Sequence, residues 1–137
     1  MTEYVLDASV VLKWFHSKGE HHVNTARSLR SNFETGALLL FAPPLLKLEI
    51  VNVAARRWGL GESGLIELAA NLDELGLEFV EPELTRVARW TAAGLTAYDA
   101  AYVAVAEAGG IKLVTDDQLI VATAPEIAEL LSDLQLT

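Results

Sequence analysis

Thr96–Asp117, TAYDAAYVAVAEAGGIKLVTDD, is the stretch on which the fold turns. Thr96 opens an Ala-rich helix that Gly109-Gly110 ends, and Ile111 to Thr115 then reads as a β-branched strand with two acids directly behind it. A helix feeding straight into a short apolar strand is one half of an α/β repeat. The same alternation runs back through the chain. Tyr4 to Leu6 reads as a first strand, followed by a helix over about Ser9 to Phe15 and, past the polar HSKGEHH turn, another over about Val23 to Phe33. Leu38 to Phe41 is a second strand. Pro43 and Pro44 open a helix that reaches Trp58, where Gly59 and Gly61 stop it. Helices at about Glu62 to Leu75 and Pro82 to Ala93 flank a short strand, Leu77 to Val80. Strands alternating with helices imply an α/β fold whose mostly parallel sheet is covered on both faces. In such sheets, sites form beyond the carboxyl ends of the strands.

Composition bounds the function. The 137 residues are 52% hydrophobic, with a mean hydropathy of +0.31, which predicts one globular domain over 1–137 with a sizeable core. The absence of cysteine removes disulfides, zinc–thiolate sites and cysteine nucleophiles, and an intracellular, cytoplasmic address follows most simply. MTEYVLDAS lacks the basic start of a secretory signal. Apolar runs are broken by Pro43-Pro44 or by charges, well short of the roughly 20 residues that cross a bilayer, so no membrane span is expected. A net charge of −9 argues against a broad basic face that grips nucleic acid and favours a divalent cation or a basic protein partner.

Five acids end apolar runs: Asp7 in YVLDASVV, Glu49 in LLKLEIVN, Asp99 in TAYDAAYV, and Asp116 and Asp117 in LVTDDQLI. Asp7 and the Asp116-Asp117 pair leave strands at the same carboxyl edge, and Asp99 opens the helix that feeds the late strand. Glu49 lies on a helix where Asn52 and Arg56, three and seven residues on, fall in nearly the same direction and form a polar stripe. Each feature has an ordinary explanation. Asp7 suits a turn or cap, Ser9 an N-cap, Asp99 the S/T-x-x-D capping pattern, and the Glu49–Asn52–Arg56 stripe a solvated helix face. Independent capping gives no reason for all of these elements to aim acids at one sheet edge.

VLDASVVLKWF, LEIVNV and TAYDAAYVAVAEAGGIKLVTDD, in that order, resemble the PIN-domain family, and within it the VapC-type ribonuclease toxins of toxin–antitoxin pairs. The resemblance covers nearly the whole chain. It implies a three-layer α/β/α sandwich around a parallel sheet, and a Mg²⁺- or Mn²⁺-dependent endoribonuclease that hydrolyses RNA phosphodiester bonds. The family's acidic quartet falls on Asp7, Glu49, Asp99 and one residue of the TDD segment. The family's T-x-D pattern selects Thr115 and Asp117, leaving Asp116 in the variable position. Asp7 and Asp99 are then the strongest metal ligands, with Glu49 and Asp117 as second-site or water-mediated ligands. Ser9 orients Asp7 or a bound water, and Asn52 supports Glu49. A cognate antitoxin and a homodimer are implied as partners beside the RNA substrate. The alternative is a catalytically silent PIN-like protein-interaction module.

Other chemistry is less well supported. His16, His21 and His22 share one polar turn without further zinc ligands. A dehalogenase-type phosphatase needs D-x-D after strand one, where this chain has Asp7-Ala8-Ser9. A receiver domain needs a phosphoacceptor after a middle strand and a late lysine, and neither is convincing here. Trp14, Trp58 and Trp90 suit core or interface anchoring. Arg56, Arg57, Arg86 and Arg89 are candidates to hold phosphate.

Overall fold

The computed structural model of the protein describes residues 1–136. Five strands, β1 (Thr2–Leu6), β2 (Leu38–Ala42), β3 (Glu78–Phe79), β4 (Lys112–Thr115) and β5 (Ala128–Leu130), form one sheet in the order β3-β2-β1-β4-β5. Every pairing is parallel. Parallel neighbours need long crossovers, and seven helices supply them: α1 (Ala8–Phe15), α2 (Val23–Glu34), α3 (Leu45–Arg56), α4 (Glu62–Asp73), α5 (Leu84–Ala92), α6 (Ala97–Gly109) and α7 (Gln118–Thr123). This is the α/β/α arrangement expected from the alternation.

The strand order carries a functional consequence. From β1 the chain builds outward through β2 to β3, then returns to the other side of β1 for β4 and β5. The reversal lies between β1 and β4, where Tyr4, Val5 and Leu6 pair with Lys112, Leu113 and Val114. In open parallel sheets such a reversal opens a crevice at the carboxyl ends of the two strands.

The core is built from strand residues Val5, Leu6, Leu40, Leu113 and Val114 together with α6, in which Ala100 through Ala106 are all buried. A helix apolar around its whole circumference must be covered on every side. Accordingly α6 packs on β1 and β4 and is covered by α5. Small alanines let it lie close to the sheet, and Gly110, in the left-handed conformation at φ 65°, ends it one residue before the turn into β4.

Several boundaries differ from the sequence expectation. The third strand is only Glu78–Phe79 rather than Leu77 to Val80, because it is the outer strand and pairs only with Phe41 and Ala42. The helix after Pro43-Pro44 ends at Arg56, with Arg57 as its C-cap, short of Trp58. Beyond Thr115, α7, β5 and a short 3-10 turn at Leu131–Asp133 had no counterpart in the pattern. They are brief, and β5 carries Glu129 at its centre, so neither periodicity nor β-branched content marks them.

Candidate active site

Asp7 is the first residue beyond β1, and its N–H still donates to the Val114 carbonyl, 3.0 Å, extending the β1–β4 ladder by one step. The residue is only 6% exposed. Oδ2 accepts from the Ser9 hydroxyl at 2.7 Å and from the Thr115 hydroxyl at 2.9 Å. Each hydroxyl accepts in turn a backbone N–H from the turn after β4: Ser9 Oγ from Asp116 at 3.0 Å, Thr115 Oγ1 from Asp117 at 3.0 Å. One carboxylate oxygen thereby ties the chain leaving β1 to the chain leaving β4. The other oxygen, Oδ1, takes neither bond; no buried side-chain oxygen or nitrogen among the described residues lacks a partner, so Oδ1 is reached by solvent.

Three further acids meet Asp7 around one cleft. Glu49 stands on α3, half-buried, and accepts a hydrogen bond from the Tyr102 hydroxyl of α6. Asp99 occupies the first turn of α6, where the Thr96 hydroxyl accepts its N–H at 3.0 Å while its carboxylate lines the cleft. The capping expectation for this position therefore holds alongside its place in the cleft. Asp117 sits at the N-cap of α7, its Oδ1 accepting the Leu119 N–H at 2.8 Å. The cleft encloses about 500 Å³, and Glu20 and Asp116 complete a lining of six carboxylates. Arg57 is the one cationic side chain among the lining residues.

This crowding is visible in the proton affinities. Burial pushes the Asp7 carboxyl up from the usual carboxylate range; the Ser9 and Thr115 hydroxyls oppose it, and the charges of Asp99 and Asp117 reinforce it. Glu49 is raised by burial first, against the Tyr102 hydrogen bond and with help from Asp7 and Asp99. Asp99 is raised by burial and then by Asp117. Tyr102 is itself driven up by burial and by Asp7 and Glu49, which keeps it an O–H donor. Hard carboxylate oxygens held together against both desolvation and mutual repulsion are a donor set that suits a hard divalent cation. Among the described residues no three His, Cys, Asp or Glu side chains already stand at metal-ligand spacing. The set therefore fits an ion that accepts few protein ligands and keeps much of its water.

Some sequence-based expectations change here. The Glu49–Asn52–Arg56 stripe does not face the cleft: Asn52 and Arg56 are exposed, and the wall is formed by Glu49, Val53 and Arg57. Steps of four along the helix, rather than three and seven, follow the cleft. Glu49 is supported by Tyr102, not by Asn52. Of the arginines, only Arg57 reaches the cleft, whereas Arg86 is tied to Glu83 and Glu107 at 3.2 and 2.9 Å. Trp14 and Trp90 are anchored by hydrogen bonds to the Ala26 carbonyl and Glu107, and Trp58 stacks on His16. Three residues escaped the sequence reading, and of these Glu20, in the polar HSKGEHH turn, carried no signal. Tyr102 carried a signal, since it follows Asp99 by three helical positions; Lys13, a lone cation inside VVLKWF, carried another. A second cavity of about 550 Å³ lies by Phe15, Phe33 and Leu75, and its Arg30 is already paired with Glu34 and set over the Trp14 and Phe15 rings. No described helix is long and apolar enough to cross a membrane.

Comparison with solved structures places this architecture among known ones. The Pyrobaculum aerophilum protein PAE2754 is similar at 26% identity and a TM-score of 0.66, over 96% of this chain and 90% of its own. VapC20 of Mycobacterium tuberculosis, a sarcin-ricin loop cleaving toxin, is similar at 15% identity and a TM-score of 0.65, over 88% and 95%. FitAB bound to an IR36 DNA fragment gives 16% identity and a TM-score of 0.64, over 97% and 98%. At 15 and 16% identity the likeness is one of fold. No curated protein matches the chain. The PIN domain family model matches residues 4–125, a span that includes Asp7, Glu49, Asp99 and Asp117, and the chain therefore belongs to the PIN domain family.

Proposed function

We propose that the protein is a Mg²⁺- or Mn²⁺-dependent endoribonuclease, the toxin of a toxin–antitoxin pair, with Asp7, Glu49, Asp99 and Asp117 as its metal-binding and catalytic carboxylates. The observation that carries this reading is their convergence at the β1–β4 crevice, where three of them bind protons more readily than ordinary carboxylates. Membership of the PIN family and the similarity to VapC20 and FitAB support the nuclease and toxin assignments.

A bound divalent ion would supply positive charge that acidifies water and offsets the charge of a phosphodiester in flight. The chain's own residues supply the frame. Ser9 and Thr115 fix the rotamer of Asp7 through Oδ2 and leave Oδ1 turned outward. Tyr102 donates to Glu49 and favours its charged form against the burial that raises its proton affinity. Arg57, exposed at the cleft wall, meets a phosphate of the RNA backbone.

One domain over 1–137, acting in the cytoplasm, suffices for this chemistry. An antitoxin silences it by placing an Arg or Lys among the acids in place of metal charge. A homodimer would cover the exposed apolar side chains of Leu84 and Tyr98, which share one groove. The test is to incubate metal-free protein with structured and single-stranded RNA and then add Mg²⁺ or Mn²⁺. Endonucleolytic products that vanish in Asp99→Asn are expected. Intact RNA with tight binding of a co-purified peptide would instead identify a silent interaction module.

A further inference from the structure

Lys13 is out of character with its helix. In ASVVLKWF it takes a position only 2% exposed, in the company of Ala8, Val10 and Val11, where packing alone asks for an apolar side chain. Its ammonium lies 2.9 Å from Glu20 Oε1 and 3.0 Å from Asp116 Oδ2. Those partners come from the segment ahead of α2 and from the turn between β4 and α7, so one buried charge joins three separate parts of the chain. Stability gives little reason for this choice, because exchanging a buried ion pair for well-packed apolar residues is often neutral or favourable.

What the lysine changes is the charge pattern of the cleft. Six carboxylates line it, and Lys13 engages two of them. The two are Glu20 and Asp116, those outside the set of Asp7, Glu49, Asp99 and Asp117. Asp116 matters more, because it adjoins Asp117 and its side chain is still 31% exposed at the cleft. Released, it would be a fifth hard oxygen donor beside the other four.

We infer that Lys13 is a positioning residue that sorts the six cleft carboxylates: it withholds Asp116 from a bound divalent cation, with Glu20 as its second anchor, and leaves Asp7, Glu49, Asp99 and Asp117 to take the ion. This rests on the cation-binding reading above and goes beyond it, since it explains why the adjacent acids Asp116 and Asp117 are not equivalent.

The experiment is Mn²⁺ titration of the full chain by calorimetry, with electron paramagnetic resonance counting the unbound ion. Lys13→Met is expected to bind Mn²⁺ roughly fivefold more tightly, because a positive charge leaves and Asp116 is released. Lys13→Met/Asp116→Asn is expected to return to the wild-type affinity. Lys13→Met/Glu20→Gln has the same net charge as that double variant but keeps Asp116 released, so it is expected to retain the gain. Equal affinities for the two double variants would reduce Lys13 to a general charge effect and overturn the inference, as would unchanged binding in Lys13→Met. If Lys13→Met fails to fold, Asp116→Asn alone decides: Mn²⁺ binding within threefold of wild type supports the inference, and any greater loss makes Asp116 a ligand and overturns it. A wild-type protein that binds no Mn²⁺ would remove the cation-binding reading itself, a result distinct from each of these.

Discussion

Thr115 and Asp7, 108 residues apart, are joined by a buried 2.9 Å hydrogen bond in which the threonine hydroxyl donates to Oδ2 of the carboxylate. The same hydroxyl accepts the Asp117 N–H, so a single side chain aligns the ends of β1 and β4. Thr115→Val keeps the shape but leaves both partners short of a bond. It is expected to lower the unfolding free energy by about 1–3 kcal/mol, as buried polar groups stripped of a partner do. Thr115→Ser keeps the hydroxyl and loses only a methyl group, about 1 kcal/mol. Urea unfolding of the two variants checks this; a valine variant as stable as wild type would show that the bond holds nothing in place.

Asp7 is held at a cost to the metal-free protein. Its folded-state proton affinity is raised, chiefly by burial, so its contribution to stability is present below the ordinary carboxylate pKa and is lost as pH rises through the raised folded value. Asp7→Asn keeps an acceptor for Ser9 and Thr115 and removes the charge. Without metal, the variant is expected to melt above wild type near neutral pH, and the gap should close as pH falls toward about 4. Adding Mg²⁺ reverses the order, because only the wild type gains from binding. RNA cleavage by the variant falls by at least about 100-fold. Melting curves across pH, with and without Mg²⁺, decide the matter; a variant less stable at every pH in the absence of metal would contradict it.

Tyr102 tunes Glu49. The phenol donates to the carboxylate and favours its charged form, so Tyr102→Phe is expected to raise the Glu49 pKa further and move the acidic limb of the activity profile to higher pH. Metal affinity should fall roughly tenfold, the usual scale for losing a group that orients a ligand. A purely structural tyrosine would leave the position of that limb unchanged. The pH profile of RNA cleavage and Mn²⁺ titration read the two effects separately.

The sequence carried the architecture well because the alternation is strong where burial is complete. Within TAYDAAYVAVAEAGG the run Ala100 to Ala106 is apolar and buried on every side, forming the most enclosed helix segment, and IKLVT supplies the strand beside β1. Marginal elements were illegible: β5 is three residues with a glutamate inside, held by its register against Leu113, Val114 and Thr115 rather than by its own propensity. The grouping of Asp7, Asp99 and Asp117 was legible from topology, since Asp7 and Asp117 follow strands at the carboxyl edge and Asp99 opens the helix that feeds the second of them, whereas Glu49, inside α3, entered the set through the family resemblance. Which face of α3 turned inward was not, because spacings of three and four lie on either side of the same helix direction and only tertiary packing decides between Asn52 and Val53. The Lys13–Asp116 pair was equally hidden, being a contact across 103 residues that no local pattern encodes.

In the proposed function, carboxylates from four elements hold one kind of guest, a hard divalent cation, in the crevice between β1 and β4. A crystal of the protein soaked in Mn²⁺ and measured at a wavelength where manganese scatters anomalously tests it most directly. An anomalous peak is expected within the cleft, bordered by Asp7 Oδ1 and Asp99 and missing from crystals of Asp99→Asn. A cleft without a peak at millimolar Mn²⁺, or a peak seated on Asp116 and Glu20 instead, would contradict it.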